Sequence, residues 1–160
     1  MQLKFTVQTK IQRPVTEVFD GVYNPAKMAQ YFATGGASGP LREGTTVIWS
    51  FADFPGEVPV RVKKVVPDRL IAFEWDAGEG AEDATGKKHV RSYENVVCRV
   101  EMTFEALDGG STLVRISESG WPETEKGLEL SYGNCHGWTQ MSCCLKAFLE
   151  YGINLRKGAY

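Results

Sequence analysis

Trp138, Met141, Leu145, Phe148 and Leu155 recur at steps of three, four and seven, which places them on one face of a 3.6-residue helix. The spacing predicts one long helix from about Glu125 to about Leu155. At 1.5 Å rise per residue such a segment spans roughly 40 to 45 Å. Its apolar stripe needs a wide apolar surface beneath it. Four glycines, Gly127, Gly133, Gly137 and Gly152, fall in this stretch. Each interior glycine costs a helix about 1 kcal/mol relative to alanine, so they predict a late start or a bend in its N-terminal half.

The upstream chain supplies that surface. Leu3, Phe5, Val7, Thr9 and Ile11 alternate with polar residues, the pattern of a strand with one apolar face. The period changes at Arg13-Pro14, where Val15, Val18, Phe19 and Val22 line one side of a short helix. Asn24-Pro25 starts a second short helix, with Asn24 as N-cap and Met28, Tyr31 and Phe32 as its stripe. Thr34 to Pro40 has loop composition. Strands are expected at Thr45–Phe51, Val58–Val66 and Arg69–Trp75, with turns at Phe54-Pro55-Gly56-Glu57 and Pro67-Asp68. Ala77 to Ser92 is rich in glycine and charge and reads as a long exposed loop. The clearest strand puts Val96, Cys98, Val100, Met102, Phe104 and Ala106 on one face. Asp108-Gly109-Gly110 turns it into a partner strand, Thr112 to Glu118, that shows Val114, Ile116 and Glu118 to one side. The expected fold class is α+β: an antiparallel sheet of about six strands, two short helices after the first strand, and a long C-terminal helix on the apolar face. Residues 1–160 are expected to form one domain.

Charge and sequence pattern exclude several functions. Lys plus Arg total 18 against 20 for Asp plus Glu, so no positive excess is available for phosphates and no nucleic acid partner is expected. The N-terminus alternates polar and apolar residues, unlike a signal peptide, and no apolar run is long enough to insert in a membrane. The expected location is the cytoplasm. Cys98, Cys135, Cys143 and Cys144 contain no C-x-x-C pair, and Cys135 and His136 diverge on a helix, so neither a metal nor another cofactor is expected. The sequence leaves a homodimer open.

Ile11-x-Arg-Pro-Val-x-x-Val-Phe19 resembles the strand-to-helix opening of the superfamily that includes birch-pollen-type allergens, lipid-transfer START domains and polyketide cyclases. Two further stretches, Pro67-x-x-Leu-Ile-Ala-Phe-Glu-Trp75 and Gly137-Trp138-x-x-Met-x-x-x-Leu-x-x-Phe-Leu149, are similar to the subgroup named after the C-terminal domain of the heat-shock-protein-90 ATPase activator. The resemblance implies a helix-grip fold, in which a curved antiparallel sheet wraps a long C-terminal helix and leaves a cavity between them. These residues lack the extra N-terminal domain of the true chaperone activator, which counts against carrying over its co-chaperone role.

A sheet gripping a helix is lined by strand side chains of one parity and by the inner stripe of the helix. That selects Trp49, Phe51, Phe73, Trp75, Met102, Phe104, Trp138 and Met141, with Tyr31 and Phe32 near the mouth. These side chains either fill a core or line a pocket for a planar or acyl ligand. Glu118 shares the inward face and is the expected polar anchor. Glu74 is expected to face solvent. The leading expectation is binding of a small lipophilic molecule, gated by loops at Thr34–Gly39 and Ala77–Ser92. One alternative is a cyclase, aromatase or hydrolase using Glu118 and His136 with Tyr93 or Arg91. Another is a module that contacts a chaperone through an exposed apolar patch. His89 falls in the expected loop and carries no assignment.

Overall fold

The computed structural model describes the backbone of residues 1–160 and the side chains of all except 79, 80, 89–92 and 94. Seven strands form one antiparallel sheet: β1 (Leu3–Ile11), β2 (Gly36–Ala37), β3 (Thr46–Phe51), β4 (Phe54–Val66), β5 (Leu70–Glu82), β6 (Lys88–Leu107) and β7 (Ser111–Trp121). Their order is β1-β7-β6-β5-β4-β3-β2, so consecutive strands from β2 to β7 are hairpin neighbours and β1 returns beside β7. The connection from β1 to β2 runs from one edge of the sheet to the other. It carries α1 (Val15–Tyr23) and α2 (Pro25–Met28). This is the helix-grip arrangement, with α3 (Glu125–Tyr151) on the apolar face.

Local sequence explains the helix boundaries. Asn24 caps α2, its side chain accepting from the Ala26 N–H at 3.0 Å with Pro25 at the first helical position. Thr124 caps α3 by accepting from Gly127 N–H at 3.0 Å. The expected late start does not occur: α3 is one 27-residue element beginning at Glu125. Gly127 is required there, because a Cβ at this position would lie 2.0 Å from the Pro122 carbonyl oxygen. Nor does the helix reach Leu155. Gly152 takes a left-handed conformation at φ 67° and ends it, leaving Leu155 exposed in the tail that follows.

The inward parity reads through the whole sheet. Val47 and Trp49 of β3, Val60 and Val62 of β4, Ile71 and Phe73 of β5, Val100 and Met102 of β6, and Val114 and Ile116 of β7 are all buried against Trp138, Met141 and Leu145 of α3. Close packing of α1 on α3 is visible at Gly21, where an added Cβ would meet Leu149 at 3.2 Å. Tyr31 is buried beside them. Its hydroxyl donates to the Gly21 carbonyl at 3.0 Å and its ring stacks on Phe148.

Three further expectations are corrected. Ala77 to Ser92 is not a loop: β5 and β6 continue as a paired hairpin through Gly78↔Ser92 to Glu82↔Lys88. The turn between them is built by Asp83, whose Oδ1 accepts from the Thr85 and Lys87 N–H groups, with Gly86 at φ +81°. Sparse apolar residues concealed a hairpin that this Asp-Ala-Thr-Gly turn specifies. Secondly, the β3–β4 turn falls at Ala52-Asp53 and not at Phe54–Glu57, so β4 begins at Phe54. Thirdly, Gly36 and Ala37 leave the expected loop to pair as a short edge strand with Ser50 and Trp49. No described helix is long and apolar enough to cross a membrane.

Candidate functional site

A pocket of about 520 Å³ opens between the sheet and the N-terminal half of α3. The helix presents Glu129, Leu130, Gly133, Asn134, Gly137 and Trp138 to it, pairs one turn apart on a single face. Two of these six have no side chain. A Cβ at Gly133 or Gly137 would meet no atom within 4 Å, so their bare backbone opens the space that larger residues would fill. The opposite wall is Phe51, Phe54, Val58 and Trp75 from β3, β4 and β5, with Phe32 from the turn after α2.

The aromatic wall is a layered stack. Trp138 stacks on Phe32 (ring centroids 5.8 Å apart, 24° between planes) and on Trp75 (5.2 Å, 28°). Trp49 meets Phe32, Phe73 and Trp75 edge-on from behind. Such offset and edge-to-face pairs fix ring positions more strongly than area burial alone.

The stack is tied together by one carboxylate. Glu118 is fully buried and accepts from Trp75 Nε1 at 2.9 Å, from Trp138 Nε1 at 2.6 Å, and from Asn134 Nδ2 at 3.0 and 3.2 Å. β5, β7 and α3 therefore meet at a single side chain. Burial raises its pKa above the ordinary 4.5, and outweighs the hydrogen bonds from Trp75, Trp138, Asn134 and Cys98 that favour the anion. Burial also raises the Cys98 thiol, with the Glu118 charge adding to the effect.

The tail after α3 closes the far end. Arg156 is buried, pairs with Asp53 through Nε at 2.9 Å, and lies over the rings of Phe51 and Tyr160 at 4.9 and 4.8 Å. Tyr160 packs on Phe54 and its hydroxyl donates to Gln140.

A family model described as "Activator of Hsp90 ATPase homolog 1-like protein" matches residues 12–150. The chain belongs to this family. Among solved structures similar to this family member is protein SSP2350 from Staphylococcus saprophyticus, at TM-score 0.74 and 21% identity over 96% of each chain. DynU16, titled a putative protein in the dynemicin biosynthetic locus, matches at 0.73 and 21% over 94% of this chain and 48% of its own. The Aha1 dimer from Colwellia psychrerythraea matches at 0.69 and 18%, covering 94% of this chain and 98% of that one. At these identities the structural likenesses establish the shared fold. No curated protein matches the sequence.

Within this Hsp90-activator-like fold the expected site residues separate into three groups. Phe32, Phe51, Trp75 and Trp138 line the pocket. Tyr31, Trp49, Phe73, Met102, Phe104 and Met141 lie in the core that supports it. Glu118 sits behind the wall and reaches the pocket through the indoles and the amide it holds. His136 is exposed on α3, and Tyr93 packs on a second cluster of Ala77, Cys98, Trp121 and Leu130. The Arg91 and His89 side chains lie outside the described ones. Glu74 is half-buried on the outer face, where burial works to raise its pKa, but Lys63 and Arg99 hold it below the ordinary value. Sequence reasoning missed Asn134, Phe54, Arg156 and Tyr160. The glycine pair one helical turn apart was the available signal for the first. The tail residues carry no periodicity.

Proposed function

We propose that the protein binds a small lipophilic molecule in the pocket between the sheet and α3. The observation that carries this reading is the helix face on which Gly133 and Gly137 leave an aromatic-walled space of about 520 Å³. That volume falls within the range of ligand sites, roughly 300–1,000 Å³. Such a hollow has no use in a module that works through its surface alone. A wall in which Trp138 stacks on both Phe32 and Trp75 offers a planar, weakly polar contact surface suited to ring-containing or acyl molecules.

Binding is favoured over reaction because the strongest polar group, Glu118, is sealed behind the wall with its oxygens already accepting from protein donors. A cyclase, aromatase or hydrolase needs two polar side chains converging on substrate. The test is extraction of natively purified protein with organic solvent, followed by mass spectrometry. The expected result is a lipophilic compound at near one-to-one stoichiometry. An extract with none would contradict tight binding.

A further inference from the structure

Five polar side chains belong to the pocket lining: Asp76, Glu129, Asn134, Arg156 and Tyr160. Four of them are engaged elsewhere. Asp76 pairs with Arg61 at 2.9 Å, Glu129 with Lys126 at 3.2 Å, Arg156 with Asp53, and the Tyr160 hydroxyl donates to Gln140.

Asn134 is different because only one end of its amide is used. Nδ2 lies 3.0 and 3.2 Å from the two oxygens of Glu118. Glu118 also accepts from the two indole N–H groups. The NH₂ is thus the end of the amide that faces Glu118, within reach of both of its oxygens. Oδ1 is the other polar atom of this pocket-lining residue, and it accepts no hydrogen bond from any described residue.

We propose that Asn134 Oδ1 is the specificity-determining atom of the pocket. It selects apolar, ring-containing molecules that present a hydroxyl or amino hydrogen, over the same skeleton bearing only acceptors or a carboxylate. This inference rests on the pocket reading above. A ligand that covers Oδ1 without donating removes its water and replaces it with nothing, which costs more than the bond itself returns. A carboxylate brings only acceptor oxygens to Oδ1, setting oxygen against oxygen. Glu118 acts here as a positioning residue: it fixes which end of the amide the ligand meets.

The test compares 2-naphthol with 2-methoxynaphthalene, which share a ring system and differ in having or lacking the donor hydrogen, by quenching of tryptophan fluorescence. The unaltered protein is expected to bind 2-naphthol about tenfold more tightly, the effect of one neutral hydrogen bond with a desolvated partner. In Asn134→Ala the ratio of the two affinities should fall to near one. Equal affinities in the unaltered protein would overturn the role of Asn134 while leaving the pocket intact, and that comparison needs no variant to fold. Binding of neither compound would overturn the pocket reading and this inference with it.

Discussion

Trp138 Nε1 donates to Glu118 Oε2 at 2.6 Å, joining the middle of α3 to the end of β7 directly beneath the pocket. The contact combines an aromatic packing role and a polar one in a single side chain, and substitution separates them. Trp138→Phe keeps the stacking on Phe32 and Trp75 but removes a donor from a buried carboxylate. It should cost about 1.5–3 kcal/mol, the scale of a hydrogen bond to a charged group. Trp138→Ala also empties the ring's volume and should cost about 3–5 kcal/mol. Urea unfolding of both variants checks the order. A Trp138→Phe protein as stable as wild type would mean that the hydrogen bond contributes nothing, and equal losses would mean that the ring adds nothing beyond it.

Glu118→Gln sets an amide NH₂ among groups that already donate, and should destabilise the protein by about 1–3 kcal/mol. Its pH signature follows from the direction of the shift. The folded pKa of Glu118 is raised, so its stabilising contribution is fully present below 4.5 and is lost as pH rises through the folded value. Glu74 and Glu150 are shifted the other way. Burial works to raise Glu150, but Lys146 and the Gln12 N–H hold it low, so these two contribute above 4.5 and lose stability as pH falls through their folded values. Melting temperatures of wild type and Glu118→Gln should therefore converge as pH rises from 4.5 toward 8. A gap that widens with pH would show that the hydrogen bonds outweigh burial.

Three helix glycines should respond differently to alanine. At Gly133 and Gly137 the new methyl meets open space, and each change should stabilise by about 0.5–1 kcal/mol through helix propensity. At Gly127 the methyl would collide with the Pro122 carbonyl at 2.0 Å, so Gly127→Ala should destabilise. Thermal melts of the three single variants test the contrast.

Asp53→Ala leaves the Arg156 guanidinium buried without its counter-charge. Because Asp53 is 17% exposed, the loss should be about 2–3 kcal/mol, below the roughly 3–5 kcal/mol of a fully buried pair. The tail should also loosen from Phe32 and Phe51, which proteolysis after residue 152 would report.

The sheet and the long helix were legible because period-two and period-3.6 patterns act over many residues at once, and the family through the resemblance of the stretches at Ile11–Phe19, Pro67–Trp75 and Gly137–Leu149. Inward parity correctly placed Glu118 beside the helix and set Phe51, Trp75 and Trp138 on the pocket side. Parity could not separate wall from core: Trp49 and Trp75 share an inward face, and only the third dimension puts one behind the other. The hairpin at 77–92 was hidden because few apolar residues mark its strands in the sequence, and the Asp83 turn that joins them has no hydrophobic period. Asn134 and Arg156 were hidden for another reason. Their roles depend on partners 16 and 103 residues away, and no local pattern encodes such distances.

The most direct test of the central claim is a fluorescence titration with N-phenyl-1-naphthylamine, a neutral lipophilic probe, using wild type and Gly137→Leu. The leucine projects into the pocket from a position where a Cβ meets nothing within 4 Å, so the fold should survive while the space is filled. Saturable one-to-one binding by wild type, with at least a tenfold loss in a folded Gly137→Leu protein, is the predicted result. Undiminished binding by Gly137→Leu, or none by wild type, would contradict it.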